Sequence, residues 1–171
     1  YLIVLYHGGK EHYRYPSPNL QKICRKFVRA GANLVVCQHS HCVGCKEDYQ
    51  DGTIVYGQGN FLFDDSDSEF WQTSLLLSVN DRSVSYLPLV KQKNTVRLAH
   101  GQEAETILHG FEERSAQILD ESFVREEYAR FSQQLLSLYL GTFTQKRYRL
   151  LFRVLNKLTR GKWSARLPER L

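Results

Sequence analysis

Methionine is absent from the 171 residues, and cysteine and proline are scarce, with four of each. So few cysteines, unevenly spaced, cannot form the disulfide scaffold of a small secreted domain, and they favour a reducing, cytoplasmic compartment over a place in the cell envelope. No apolar run approaches the roughly 18 to 20 residues that a membrane-spanning helix needs. The 42% hydrophobic and 24% charged content instead predicts an ordinary globular domain.

The N-terminal run Tyr1–Tyr6 is apolar and lacks the charged segment that begins a signal peptide. It has the composition of a buried strand, and a natural chain seldom begins on a core strand without methionine. We therefore expect this sequence to be the C-terminal part of a longer protein. The isolated chain should then be marginally stable and hydrolytically inert, because its first strand would leave an unpaired edge and an uncovered apolar face.

The net charge of +5 is concentrated at the C-terminus. Residues 141–171 hold nine Lys or Arg residues against one acidic residue, whereas the preceding part has a net charge of −3. Such a run is usually a solvated face, and the alternative is contact with an anionic membrane surface or polymer. No nucleic-acid motif accompanies the charge, so no nucleic acid partner is expected. The basic face comprises Lys146, Arg149, Arg153, Lys157 and Arg160.

Strand and helix signals alternate in the first part of the chain. Ser17-Pro18 is a favourable helix start and Gly31 a favourable end, which predicts a helix over 18–30. The apolar runs on either side, 1–6 and 34–37, are typical of parallel strands buried on both faces. Further strands are predicted at 53–57, 73–79 and 83–90, with a turn at Asn80-Asp81, and helices at 103–119, 122–140 and 144–159.

Three histidines follow the first two predicted strands. His7 comes directly after the first, and His39 and His41 come after the second. The carboxyl ends of parallel strands meet at one edge of a sheet, so these imidazoles should converge, with ligand nitrogens roughly 3–5 Å apart if they share a cation. Imidazole binds zinc, manganese and iron. The alternative is that each is a solvated loop histidine without a functional role.

The cysteines offer a competing site. Cys42 and Cys45 form a C-x-x-C beside the His39-Ser40-His41 turn, which could be a structural zinc site. A single C-x-x-C without a second pair is weak evidence for zinc. The alternative is two reduced residues in a turn.

Four motifs occur in order over residues 1–64. They are His7-Gly8-Gly9-Lys10-Glu11, the Gly31–Val36 strand, Gln38-His39-Ser40-His41, and the Tyr56–Phe63 segment that contains Gly59-Asn60-Phe61. Together they resemble the CapA family of capsule and poly-γ-glutamate biosynthesis proteins. The turn has Ser40 where that family usually has proline, which should alter rigidity more than chemistry. The likeness continues loosely to about residue 98 and does not extend to the helical tail.

The resemblance implies a fold related to the calcineurin-like metallophosphoesterases, a two-sheet α/β sandwich with a two-metal site at strand ends. The domain would occupy 1–100 as its C-terminal part, and 101–171 would be a helical extension with a basic tail. By the same analogy, His7, His39 and His41 are metal ligands for Zn, Mn or Fe, Glu11 acts as an acid or base, and Asn60 binds substrate. The alternative for Glu11 is a solvated loop carboxylate, and the alternative for Asn60 is a turn residue. The carboxylate and asparagine–histidine motifs that complete such a centre are not in this sequence.

Two functions follow from the resemblance. The first is a metal-dependent, phosphoesterase-like hydrolase in the longer protein, acting on a phosphoester or amide substrate with two divalent cations. The second is a non-catalytic binding or assembly component for an anionic capsule polymer. A fold does not fix a function, so the resemblance alone does not choose between them.

Overall fold

A computed structural model of the chain describes residues 1–62, 68–92 and 95–143, together with residues 154, 157 and 158. The chain divides after Val124 into two compact units, residues 1–124 and residues 125–171. The first unit carries seven described strands in two sheets, which confirms the predicted two-sheet α/β architecture. The elements are β1 (Ile3–Tyr6), α1 (Pro18–Arg29), β2 (Leu34–Cys37), β3 (Lys46–Tyr49), β4 (Gly52–Val55), α2 (Glu69–Gln72), β5 (Thr73–Asn80), β6 (Ser83–Gln92), β7 (Thr95–Leu98), α3 (Gly101–Gln117) and α4 (Glu121–Phe143).

The first sheet has the strand order β1-β2-β4-β3. Strand β1 pairs in parallel with β2 from Ile3↔Leu34 to Tyr6↔Cys37, as the strand–helix–strand pattern predicted. Strand β4 continues the parallel pairing, and β3 pairs with β4 in the antiparallel direction. The carboxyl ends of β1 and β2 therefore lie side by side at one edge of the sheet.

Helix α1 begins where its cap residue predicted. The Ser17 hydroxyl accepts a hydrogen bond from the Leu20 amide at 3.1 Å, and Pro18 occupies the first turn. Leu20, Cys24 and Val28 recur on one face and are buried in the main hydrophobic core, against the sheet. This packing fixes the crossover between β1 and β2 and so the relative position of their ends.

Burial on both faces was predicted for β1 and β2, and it holds only for β2. All four residues of β2 are buried, whereas Ile3 and Leu5 of β1 are 46% and 66% exposed. Strand β1 lies at the sheet edge, so only its Val4 and Tyr6 face packs against the core. The opposite face opens on an apolar cavity of about 340 Å³, whose lining also includes residues of β5.

The second sheet is an antiparallel meander of β5, β6 and β7. The hairpin between β5 and β6 turns at Asp81-Arg82, one residue later than predicted. Both turn residues have positive φ, 46° and 72°, which is the conformation that a two-residue hairpin loop with matching twist requires. The pairing Asn80↔Ser83 closes this loop.

Strand β3 was not predicted, because Lys46-Glu47-Asp48-Tyr49 is mostly charged. Helices α3 and α4 confirm two of the three predicted helices, and the third, 144–159, lies largely outside the described residues, as does the basic face of the tail. The predicted domain boundary near residue 100 stays a prediction. The first compact unit of the structure extends to Val124. Among the helices described, none has the length and apolar character needed to cross a membrane.

Candidate metal site

The ends of β1 and β2 bring His7 and His39 together. His7 directly follows β1, and His39 lies two residues beyond β2, where the Gln38 amide still bonds to the Tyr6 carbonyl at 3.2 Å. The His7 Nε2 and His39 Nδ1 atoms are 3.0 Å apart. That distance suits a hydrogen bond with one shared proton. It is also close to the separation of about 3.0 Å that two nitrogens adopt at right angles on a cation roughly 2.1 Å from each.

The backbone bends sharply at His41, which allows the second histidine of the H-x-H pair to turn toward the first. His41 has a φ of 57°, in the left-handed region that non-glycine residues seldom adopt. The rings of His39 and His41 come to a centroid distance of 5.9 Å. Between them, the buried Ser40 holds the turn: its carbonyl accepts from the His12 amide at 2.8 Å, and its hydroxyl donates to the Cys42 carbonyl at 3.3 Å.

Glu11, His39 and His41 form one cluster of potential ligands. One ring nitrogen of each histidine and one carboxylate oxygen of Glu11 all lie within 4.8 Å of one another. His7 is not part of this three-residue group, but it contacts His39. The 3.0 Å between His7 and His39 agrees with the 3–5 Å predicted for the histidines, whereas the group within 4.8 Å contains Glu11 in place of His7. Two imidazoles with a carboxylate are a donor set that zinc, manganese and iron accept. The residues at this edge therefore fit a divalent cation.

The electrostatics at His39 favour the neutral ring. Partial burial lowers the pKa of His39, and the neighbouring His7 lowers it further, against the opposing effect of the Glu11 carboxylate. A neutral imidazole has the lone pair that a metal ligand needs. The site therefore presents His39 in the protonation state that a cation requires.

Asn60 and Trp71 contact His41 on two sides. The Asn60 Oδ1 is 2.8 Å from His41 Nδ1, and its Nδ2 donates to the His41 carbonyl at 3.4 Å. The Trp71 ring stacks on the His41 ring at a centroid distance of 5.3 Å and an interplanar angle of 12°. Asn60 was predicted to bind substrate, which stays a prediction; its side chain is buried against His41.

An aromatic wall, defined as His12, Phe70 and Trp71, flanks the cluster. The His12 ring stacks on Phe70 at 5.7 Å and meets Trp71 edge-on at 5.6 Å, and the Arg14 guanidinium lies over Phe70 at 4.6 Å. Sequence reasoning missed Phe70 and Trp71, because α2 lies far along the chain from the histidine turn. The adjacent Phe70-Trp71 pair, just before β5, was the available signal.

The cysteines do not join this cluster. Cys42 and Cys45 are fully buried with free thiols, and in the described part of the chain the group able to hold a cation contains neither. Burial raises the pKa of Cys42 to about 11, and burial also raises the pKa of Cys45. Thiols held in the protonated form are poor metal ligands, which favours the reading of reduced structural residues.

Glycine at position 57 keeps the histidine turn close to the segment that carries Asn60. A Cβ atom at Gly57 would lie 2.5 Å from the Ser40 hydroxyl and 2.7 Å from the Cys42 carbonyl. Any side chain there would push the turn away from β4. Gly57 therefore allows the close approach of the two backbone segments.

Comparison with known proteins agrees with this arrangement of motifs. The family described as Bacterial capsule synthesis protein PGA_cap matches residues 1–65. The Capsule biosynthesis protein CapA of Bacillus anthracis is 36% identical over 63 residues, 37% of this chain and 15% of that protein. The PGA biosynthesis protein CapA of Bacillus subtilis strain 168 is 33% identical over 63 residues, 37% of this chain and 17% of that protein.

The matched stretch thus spans about a sixth of the length of these relatives. It contains the cluster residues Glu11, His39 and His41, together with His7 and Asn60. The resemblance predicted from the four ordered motifs is confirmed over this stretch. Residues 1–65 of the chain are therefore similar to the CapA capsule biosynthesis proteins of the two Bacillus species and match the PGA_cap family.

Proposed function

We propose that Glu11, His7, His39 and His41 hold a divalent cation, and that this site serves a metal-dependent hydrolase linked to capsule or poly-γ-glutamate biosynthesis. The observation that carries the proposal is the convergence of Glu11, His39 and His41 within 4.8 Å at the carboxyl ends of the parallel strands β1 and β2. This edge is where open α/β sheets bind ligands.

When bound, the cation would supply a water of lowered pKa and polarise the substrate. The protein's own groups have separate roles. His39 and His41 would each hold the cation through an imidazole nitrogen, His7 would add a third nitrogen beside His39, and Glu11 would hold the cation or act as a proton acceptor. In the longer protein, carboxylates from other segments would complete a centre with two cations. The exposure of Glu11 suits contact with an incoming substrate.

Metal binding by the 171-residue chain tests the site directly, and the affinity for the cation should depend on pH. We expect Zn²⁺ or Mn²⁺ affinity, measured by isothermal titration calorimetry, to fall by about 10- to 100-fold between pH 7.5 and 5.5. Ligation needs neutral imidazole, and protons compete once the pH drops below about 6.5, the ordinary histidine pKa. The lowered pKa of His39 delays this competition to lower pH for that ring.

A matched control is the Cys42→Ala/Cys45→Ala variant, which should bind the cation as the unchanged chain does, since both thiols are buried away from the cluster. An affinity that does not respond to pH, or one that disappears with the cysteines, contradicts the histidine site.

Hydrolysis separates the enzyme from the binding component. In the longer protein that contains these residues, we expect cation-dependent cleavage of bis-p-nitrophenyl phosphate, abolished by His39→Ala. Anionic polymer binding without cleavage, unchanged by removal of the cation, would instead support the non-catalytic function. The two candidate substrates, a phosphoester and an amide such as poly-γ-glutamate, are distinguished by which of them the protein cleaves.

A further inference from the structure

The hydrogen bonds around Asn60 determine the tautomer of the His41 ring. The Asn60 amide bridges two groups of the same residue, the His41 ring nitrogen Nδ1 at 2.8 Å and the His41 main-chain carbonyl at 3.4 Å. A carbonyl oxygen can only accept, so the amide group facing it must be the NH₂. The amide oxygen therefore faces the ring.

An amide oxygen also can only accept, so the ring nitrogen opposite Oδ1 must carry the hydrogen. The neutral His41 ring is then protonated at Nδ1 and has its lone pair at Nε2. The reverse amide orientation would set two acceptor oxygens against each other at the His41 carbonyl. Burial of Asn60, 6% exposed, adds to the cost of leaving either contact unmade.

Trp71 fixes the plane of the same ring. It stacks on His41 at an interplanar angle of 12°, so a rotation of the imidazole about its χ2 angle would break the stack as well as the bond to Asn60. The stack and the hydrogen bond act on different parts of the ring, one on its face and one on Nδ1. Together they hold the Nε2 edge in a defined direction.

The backbone that carries Asn60 is itself fixed. Gly59 has a φ of +79°, and a Cβ there would lie 2.6 Å from the Thr73 carbonyl. The Leu75 amide donates to the Gln58 carbonyl at 2.7 Å, which ties the segment to β5. Asn60 is thus presented from a rigid connection to the second sheet.

We propose that Asn60 is a positioning residue that sets His41 in the Nδ1–H tautomer, so that Nε2 is the nitrogen offered to a divalent cation. The presence of a cation rests on the metal site proposed above. The tautomer of His41 does not, because it follows from the contacts of Asn60. A ligating histidine whose second nitrogen is bound to a fixed acceptor keeps its orientation before the cation arrives. Asn60 would therefore act through His41 without touching the cation.

The test uses long-range ¹H–¹⁵N correlation spectra of the cation-free chain, labelled at histidine nitrogens, near pH 8, above the ordinary histidine pKa of about 6.5. The His41 signals, assigned by their loss in His41→Asn, are expected to show the Nδ1–H pattern. Asn60→Ala should convert them to the Nε2–H pattern or a mixture. Asn60→Asp loses the longer contact to the His41 carbonyl but keeps the acceptor oxygen opposite Nδ1, and so should preserve the Nδ1–H pattern.

Zn²⁺ titration of the same variants gives the second readout. Asn60→Ala should weaken binding by about 10- to 100-fold, the range for changes next to a metal ligand, and Asn60→Asp should retain it. Asn80→Ala, an exposed asparagine at the end of β5, is the matched control and should change neither readout. An Nε2–H pattern for His41 in the unchanged chain overturns the proposal without any variant. A chain that shows the expected tautomers but binds no cation leaves the positioning role standing and refutes the metal site.

Discussion

Replacing both His39 and His41 by alanine is expected to lower the affinity of the chain for Zn²⁺ or Mn²⁺ by more than about 100-fold, beyond the range typical of changes next to a ligand. The variant loses two of the three ligand atoms that lie within 4.8 Å of one another, and of the four proposed ligands it keeps only the exposed side chains of Glu11 and His7. Isothermal titration calorimetry gives the affinity. Elemental analysis of the purified protein gives the metal retained.

A histidine-matched control separates this site from general imidazole binding. His100 and His109 are exposed residues of the α3 region, and neither belongs to the cluster. The His100→Ala/His109→Ala variant should bind as the unchanged chain does. If both double variants retained equal metal, ligation by His39 and His41 would be rejected, and the proposed hydrolase would lose its supporting observation.

Local signals were sufficient to predict the part of the fold that positions this site. Ser17-Pro18 and Gly31 bound α1, and two apolar runs of strand length flank it, so a parallel pair with a crossover helix was the expected outcome. Because strand ends meet at one edge, the convergence of His7 with His39 followed from chain order alone. These inferences needed no knowledge of distant contacts.

Contacts between distant segments could not be predicted in the same way. The positive φ at His41, the stack of Trp71 and the two bonds from Asn60 depend on how the second sheet meets the histidine turn. Exposure of β1 was missed for a related reason, since an apolar strand has the same sequence at a sheet edge as at its centre. Strand β3 was missed because three of its four residues are charged, and the sequence does not show that one of them is buried.

That buried residue, Glu47, is 6% exposed and joins three elements of the first unit. Its Oε1 accepts from Arg25 of α1 at 2.7 Å, and its Oε2 accepts from the Tyr56 hydroxyl, just after β4, at 2.6 Å. Burial, followed by the charge of Glu47, raises the pKa of Tyr56 far above its ordinary value, so the phenol remains a donor. The charge of Glu47 is compensated on both oxygens.

We expect Glu47→Ala to lower the free energy of unfolding by about 3 kcal/mol, because it leaves a partly buried guanidinium and a buried hydroxyl without their acceptor. The triple variant Arg25→Met/Glu47→Leu/Tyr56→Phe removes all three polar groups together and should recover most of that loss.

Hydrogen exchange of the β3 and β4 amides, measured together with urea unfolding, assigns the change to the first unit. Tyr56 leads directly into the Gly57–Asn60 segment, so faster exchange there should accompany weaker Zn²⁺ binding in Glu47→Ala. A loss below about 0.5 kcal/mol in that variant, within the range of ordinary surface substitutions, would contradict the network's contribution to stability.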